Sequence, residues 1–402
     1  MPDLGPLAGH PAGYSLAIMT LSTPCPALAT IETPALLLDL PRMQANIERL
    51  QARLATLGVG FRPHVKTAKC VEVARRMLGG AASGPITVST LREADEFAAA
   101  GFRDISYAVG ITPNKFAHVG RLLAQGVALT VILDNLDAAL TLRQAAPGLP
   151  APLRVLIEID TDGHRAGLPP DSPELALLAA ALDHPLLRLQ GVLTHQGASY
   201  DCRSADALRA AAEVERAGAV QAAGALRAAG FAAPVVSVGS TPTAMFAQHL
   251  QGVTELRAGV YVFQDLVMAG LGVCAPQDIA ASVLTSVIGH RRDKGWTLVD
   301  AGWMALSRDR GTASQPVDQG YGLVCEADGQ VLHDYTVVAV NQEHGLIAHR
   351  SGDPARLLER PVGALLRILP NHACATAAQH GAYQVLGEGG LPMAIWPRFG
   401  GW

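Results

Sequence analysis

Lysine is scarce in this chain. Of its 402 residues only Lys66, Lys69, Lys115 and Lys294 are lysine, although lysine and arginine together number 31. Charged residues make up 16% and the formal net charge is -4. That balance excludes the clustered positive charge of a nucleic-acid binder and the charge excess of a disordered chain. No uninterrupted apolar run reaches the roughly 18 residues that a membrane helix needs, so no membrane partner is expected. The apolar patch Tyr14 to Met19 has neither lysine nor arginine before it, which argues against a secretory leader. The six cysteines, Cys25, Cys70, Cys202, Cys274, Cys325 and Cys374, form no CxxC pair. Their scatter fits reduced thiols and a cytoplasmic protein better than a disulfide framework. No repeat at solenoid spacing and no low-complexity linker is present.

What is present is a regular alternation. At 402 residues and 49% hydrophobic content the chain is expected to form two domains. Residues 1–33, rich in proline and glycine, read as a loose extension. Ala35 to Asp39 reads as a short apolar strand, and Met43 to Leu57 has apolar positions at helical spacing. Strand-then-helix units then recur, with strands expected near 60–66, 85–89, 104–108, 128–133, 153–160, 188–194, 234–239 and 255–261. Eight buried strands separated by helices define an α/β chain with a parallel sheet, and the count fits a closed (β/α)8 TIM-type barrel over 34–270. An open doubly wound sheet is the competing arrangement, but no GxGxxG follows the first strand. From 271 to 402 the texture changes to alternating strands, such as Ser282 to Gly289, Thr297 to Asp300 and Thr336 to Ala339, and a mainly β domain is expected.

Barrel chemistry sits where strands end, and the polar clusters of this chain fall there. Lys66 follows the first barrel strand; its amine can lose a proton when desolvated and condense with a carbonyl, which arginine cannot do. The plain alternative is a lysine snorkelling to water. Gly239, Ser240 and Thr241 join a strand to a helix, offering free backbone N–H groups and hydroxyls to a phosphate, or simply capping the helix. Arg165 and Arg257 are expected to point into the mouth as partners for a phenolate oxygen or a ring nitrogen, if they are not surface ion pairs. Tyr261 is expected to reach the phosphate or line the wall. His195, amid Thr194, Gln196 and Gly197, is a catalytic candidate or a satisfied core histidine. His372 and Cys374, taken as alternate residues of an extended segment, present an imidazole and a thiolate together, a donor pair suited to Zn2+. A third metal ligand is sought among His64, His195, His344 and His380. Trp303, Arg308 and Arg310 are candidates for carboxylate recognition.

Taken in order, Pro63-His64-Val65-Lys66-Thr67, Glu158 to Gly167, Thr194 to Tyr200, Gly239 to Thr243, Asp300-Ala301-Gly302, Asp318 to Gly322, Glu343-His344-Gly345 and Pro370 to Thr376 resemble the D-serine dehydratase/D-threonine aldolase family, from about Thr33 to the end. These are pyridoxal-phosphate enzymes with the alanine racemase fold. The resemblance implies a barrel that binds pyridoxal 5'-phosphate, a C-terminal β domain, a homodimer and a divalent metal beside the cofactor. It implies Lys66 as the Schiff-base lysine, Arg165 at the cofactor's 3-oxygen, Gly239 to Thr241 on its phosphate, and His372 and Cys374 on the metal. Relatives often carry histidine where this chain has Ala68. Aldolase members resemble His-x-Asp at the metal pair and dehydratase members His-x-Cys, so Cys374 points to dehydration of a D-β-hydroxy amino acid such as D-serine or D-3-hydroxyaspartate. Retro-aldol cleavage to glycine and an aldehyde is the alternative. Racemisation and cofactor binding without turnover are outcomes of other classes.

Overall fold

The computed structural model describes residues 27–402. Most of the expected extension, with Tyr14 to Met19 and Cys25, lies outside the described residues.

Eight parallel strands, Gly60–Phe61, Ile86–Val88, Asp104–Gly110, Ala128–Leu133, Leu153–Ile159, Leu187–Thr194, Val235–Val238 and Glu255–Leu256, pair with their chain neighbours. The last lies against the first, Gly60 opposite Glu255. A bridge between His64 and Thr87 joins the first to the second, with Val65 N–H donating to Thr87 O at 2.9 Å and Thr87 N–H to Pro63 O at 2.8 Å. The sheet is therefore closed, and the open arrangement does not apply. Strands buried on both faces read as apolar runs, as in Leu129 to Leu133. The intervening helices start at polar caps: Thr90, Asn135 and Ser204 accept the N–H groups of Glu93, Ala138 and Ala207. At the floor, Arg62 is paired with Asp104 at 3.1 Å and Glu255 at 2.9 Å, tying the first, third and eighth strands.

The second sheet has nine strands in the order Trp296–Val299, Gly345–His349, Val331–Val340, Leu323–Glu326, Leu365–Leu369, Ala281–Arg291, Ala35–Asp39, Ala382–Leu386 and Pro392–Pro397. Trp296–Val299 also pairs with Ala281–Arg291, which closes the first six into a small barrel.

Here the expected boundary at residue 34 needs correcting, because Ala35–Asp39 belongs to this second sheet. It runs antiparallel to Ala281–Arg291, with Ala35 opposite Leu284, and parallel to Ala382–Leu386. A short apolar strand followed by a helix looks locally like a barrel unit; its partners lie more than 240 residues away, as in Leu38 opposite Ala281 and Leu37 opposite Gln384. Part of the extension is also anchored rather than loose. Leu28 is fully buried against Leu37, Leu284 and Leu386, and the Thr33 hydroxyl donates to Asp300 Oδ2 at 2.6 Å.

Candidate active site

The C-terminal mouth of the barrel, roofed by the second domain, holds a cavity of about 470 Å3. Lys66 lines it, in the turn that follows the His64 bridge. The neighbouring lysine does not: Lys69, in a left-handed backbone conformation with φ 45°, places its amine 3.2 Å from Glu93, a carboxylate only 1% exposed. Glu93 also accepts the N–H of Ser89 at 3.1 Å, and the Ser89 hydroxyl meets His64 Nε2 at 2.9 Å. Lys66 is thus left as the amine facing the cavity, on a turn braced by its neighbour.

His195 directly follows the sixth barrel strand at the cavity wall. Its Nδ1 lies 3.0 Å from Gly239 O. A carbonyl can only accept, so Nδ1 carries the proton and Nε2 is left as an acceptor. Burial pushes the imidazole down to about 3, against the carbonyl bond and helped by the Lys66, Arg165 and Arg257 charges. It is a neutral ring over the range of ordinary pH. Arg257 is 3% exposed; its guanidinium donates to Ser237 Oγ and Thr194 O, on the two preceding strands. Arg165 lies at the rim with its side chain 58% exposed, 3.4 Å from Glu158. Burial raises Glu158, against the Arg165 charge.

At the turn after the seventh strand, Gly239 has φ 144°, and a Cβ there would sit 1.9 Å from Arg257 O. Two of the N–H groups expected to be free at this turn are engaged inside the protein. Gly239 N–H donates to Glu215 Oε1 at 2.9 Å, and Ser240 N–H to Thr243 Oγ1 at 3.1 Å within a capping box. Thr241 Oγ1 accepts from Tyr261 N–H at 3.2 Å, which leaves its O–H able to donate at the cavity wall. The Tyr261 ring is a second correction. It is 1% exposed, packs edge-on to Phe61 at 5.9 Å and does not line the cavity. The strand ends at Leu256 and a 3-10 turn over Val260–Val262 carries the ring into the core.

His372 and Cys374 face the same cavity from the second domain. They do so from the start of a short helix, Ala373–Ala377, with His372 as its extended N-cap. The extended segment expected here is therefore not found, and the first helical turn brings the pair together. His372 Nδ1 bonds to Asp309 Oδ2 at 3.1 Å. Burial opposes the imidazolium, but Asp309 and Cys374 push it up to about 11. Burial opposes the thiolate too, yet the His372 contact holds Cys374 below the usual thiol range. Thr67, next to Lys66, meets the Cys374 sulfur at 3.1 Å. Asp265 accepts the N–H groups of Met268 and Ala373 and so fastens this turn to the barrel.

No third histidine, cysteine or carboxylate completes a metal cluster among the described residues. His64 and His195 have the partners given above, His380 donates to Ala305 O, and His344 is exposed. Arg308 stacks on Trp303 at 4.7 Å, and Arg310 pairs with Asp318 at 2.6 Å and covers Tyr321; none of these lines the cavity. Asp309, between the two arginines, does. Asp309, Thr67, Asp265 and Glu215 carry little signal in the sequence beyond their closeness to residues already singled out or, for Glu215, a lone acid on an apolar helix face.

The residues present suit both groups that the motifs imply. One unpaired amine, a neutral imidazole, two guanidinium groups and a hydroxyl surround a space of cofactor size. A nitrogen and a sulfur donor, the nitrogen oriented by a carboxylate, suit a divalent metal whose remaining positions are filled by water or substrate.

Residues 38–266 match the alanine racemase N-terminal domain, and residues 280–386 match a serine dehydratase domain. The chain belongs to the D-serine dehydratase/D-threonine aldolase family of alanine-racemase-type lyases, as its motifs imply. It is 53% identical over 378 residues to the D-threo-3-hydroxyaspartate dehydratase of Delftia sp. (strain HT23), over 93% of this chain and 99% of that one. A solved structure of that enzyme superposes with a TM-score of 0.90 at 52% identity, covering 94% of this chain and 100% of the other. Another is a cysteine-to-alanine variant in the metal-free form. The D-serine dehydratase of Dictyostelium discoideum and the D-threonine aldolase of Arthrobacter sp are each 30% identical, over 89% and 93% of this chain and 93% and 94% of theirs.

Proposed function

We propose that the chain is a pyridoxal-phosphate- and metal-dependent lyase that converts D-β-hydroxy amino acids, of the D-3-hydroxyaspartate or D-serine type, to a 2-oxo acid and ammonia. The observation that carries this reading is the convergence of Lys66 with His372 and Cys374 on one cavity.

Lys66 would hold the cofactor, Arg165 its 3-oxygen side, His195 its ring, and Ser240 and Thr241 its phosphate; His372 and Cys374 would hold the metal. When bound, the cofactor supplies an electron sink at Cα and the metal a Lewis acid at the β-oxygen. The Lys66 amine, released by the substrate amine, takes the Cα proton. The β-hydroxyl leaves from the side of the cavity formed by His372 and Cys374, so the substrate loses water. Addition of water to the eliminated product then releases ammonia and the 2-oxo acid. Asp309 fixes His372 by holding its Nδ1 proton, and Thr67 ties the Cys374 sulfur to the Lys66 turn.

The sulfur ligand and the 53% identical dehydratase favour elimination over Cα–Cβ cleavage. The thiolate also favours Zn2+ over harder ions. A homodimer is supported by Met393 and Ile395, apolar and exposed along the edge strand Pro392–Pro397, and by exposed Leu391 just before it. The five described cysteines are free, in keeping with a reducing cytoplasm, and among the described residues no helix is long and apolar enough to cross a membrane.

The test is a product assay on D-threo-3-hydroxyaspartate, D-serine and D-threonine, with absorbance of the purified protein. A band near the visible edge, absent from Lys66→Ala along with activity, and 2-oxo acid as the main product are expected. Glycine plus aldehyde as the main products would reverse the assignment to cleavage.

A further inference from the structure

Glu215 lies on the long helix Ala205–Ala228, whose other buried positions, such as Ala212, Ala219, Ala222 and Leu226, are small or apolar. It is 2% exposed and takes no part in the reaction outlined above. Its Oε1 accepts the N–H of Gln196 at 3.0 Å and that of Gly239 at 2.9 Å. These groups belong to two different turns, after the sixth and seventh barrel strands. One turn carries His195 and the other carries Ser240 and Thr241. The bond from His195 Nδ1 to Gly239 O at 3.0 Å closes the link.

An ionisable group in such a place is unfavourable unless fully bonded. Burial raises Glu215, while the nearby Thr243 hydroxyl, the buried Arg257 and the two N–H groups work the other way. An apolar residue would pack this helix on the barrel equally well but could not accept two N–H groups from separate turns.

We infer that Glu215 is a positioning residue, whose carboxylate fixes the His195 turn against the Ser240–Thr241 turn so that one cofactor can engage both. The inference rests on the proposed function, since it needs a ligand that spans the ring-facing histidine and the hydroxyl at the strand end. A contact serving stability alone would change the melting temperature without changing affinity for such a ligand.

The experiment measures binding of pyridoxal 5'-phosphate to apoprotein by absorbance titration, beside thermal melting of the same apoprotein. Glu215→Ala leaves two buried N–H groups without an acceptor and is expected to raise the Kd about 10- to 100-fold. Glu215→Gln keeps an oxygen that can accept both and is expected to stay within about threefold. A Kd for Glu215→Ala equal to that of the parent, whatever its melting temperature, overturns the inference. If Glu215→Ala does not fold, Glu215→Asp, which keeps the charge but draws the oxygens back by one methylene, takes its place: a raised Kd supports the role and an unchanged one overturns it. A parent protein that binds no pyridoxal phosphate overturns the functional reading itself.

Discussion

His195 keeps a neutral ring beside three cations, and its protonation carries a measurable signature. Its pKa in the fold, about 3, lies below the ordinary 6.5, so the unfolded chain takes up a proton that the folded one refuses. The stability this confers is complete above about pH 6.5 and is lost as pH falls toward 3. Apoprotein carrying His195→Gln should therefore lose about 2 kcal/mol less stability than the parent between pH 7 and pH 5, read by urea titration at each pH. Equal losses would mean that the ring is already solvated in the fold. Lys66, His195 and the His372–Cys374 pair were legible in the sequence because their side chains are rare or stand out against apolar surroundings. Tyr261 and the three residues about Arg308 were misplaced because strand ends and local turns, invisible in a residue pattern, decide which way a side chain faces. Asp309 escaped notice for the same reason: two arginines drew attention to the segment, and the carboxylate between them faces the cavity.

The turn at Gly239 shows how backbone geometry serves the site. Its positive φ and the 1.9 Å approach that a Cβ would make to Arg257 O leave no room for a side chain. Gly239→Ala should destabilise the protein by about 2–4 kcal/mol in chemical denaturation, and should disturb both the carbonyl that holds His195 and the N–H that meets Glu215. A variant of unchanged midpoint would show that the turn relaxes freely. The barrel elements were readable because parallel strands buried on both faces appear as apolar runs between amphipathic helices. The strand Ala35–Asp39 was not, since its pairing is decided by chain more than two hundred residues later. The helix bearing Cys374 was missed because five residues are too few to show a helical period.

The two domains are interlaced rather than strung in series. Because Ala35–Asp39 is hydrogen-bonded on both sides within the second sheet, a fragment comprising residues 40–402 should fail to give a cooperative melt by circular dichroism, although it retains every barrel strand. A cooperative melt near that of the parent would show that the second sheet closes without this strand. The same interlacing reaches back to the ribosome. Ala35 emerges early, but Leu284 opposite it follows some 250 residues later, roughly 12 to 50 s at ordinary rates of synthesis. Through that interval the nascent polypeptide carries an orphan apolar ribbon beside a nearly finished cylinder, and the thiolate at the far end cannot meet the amine until translation is almost over.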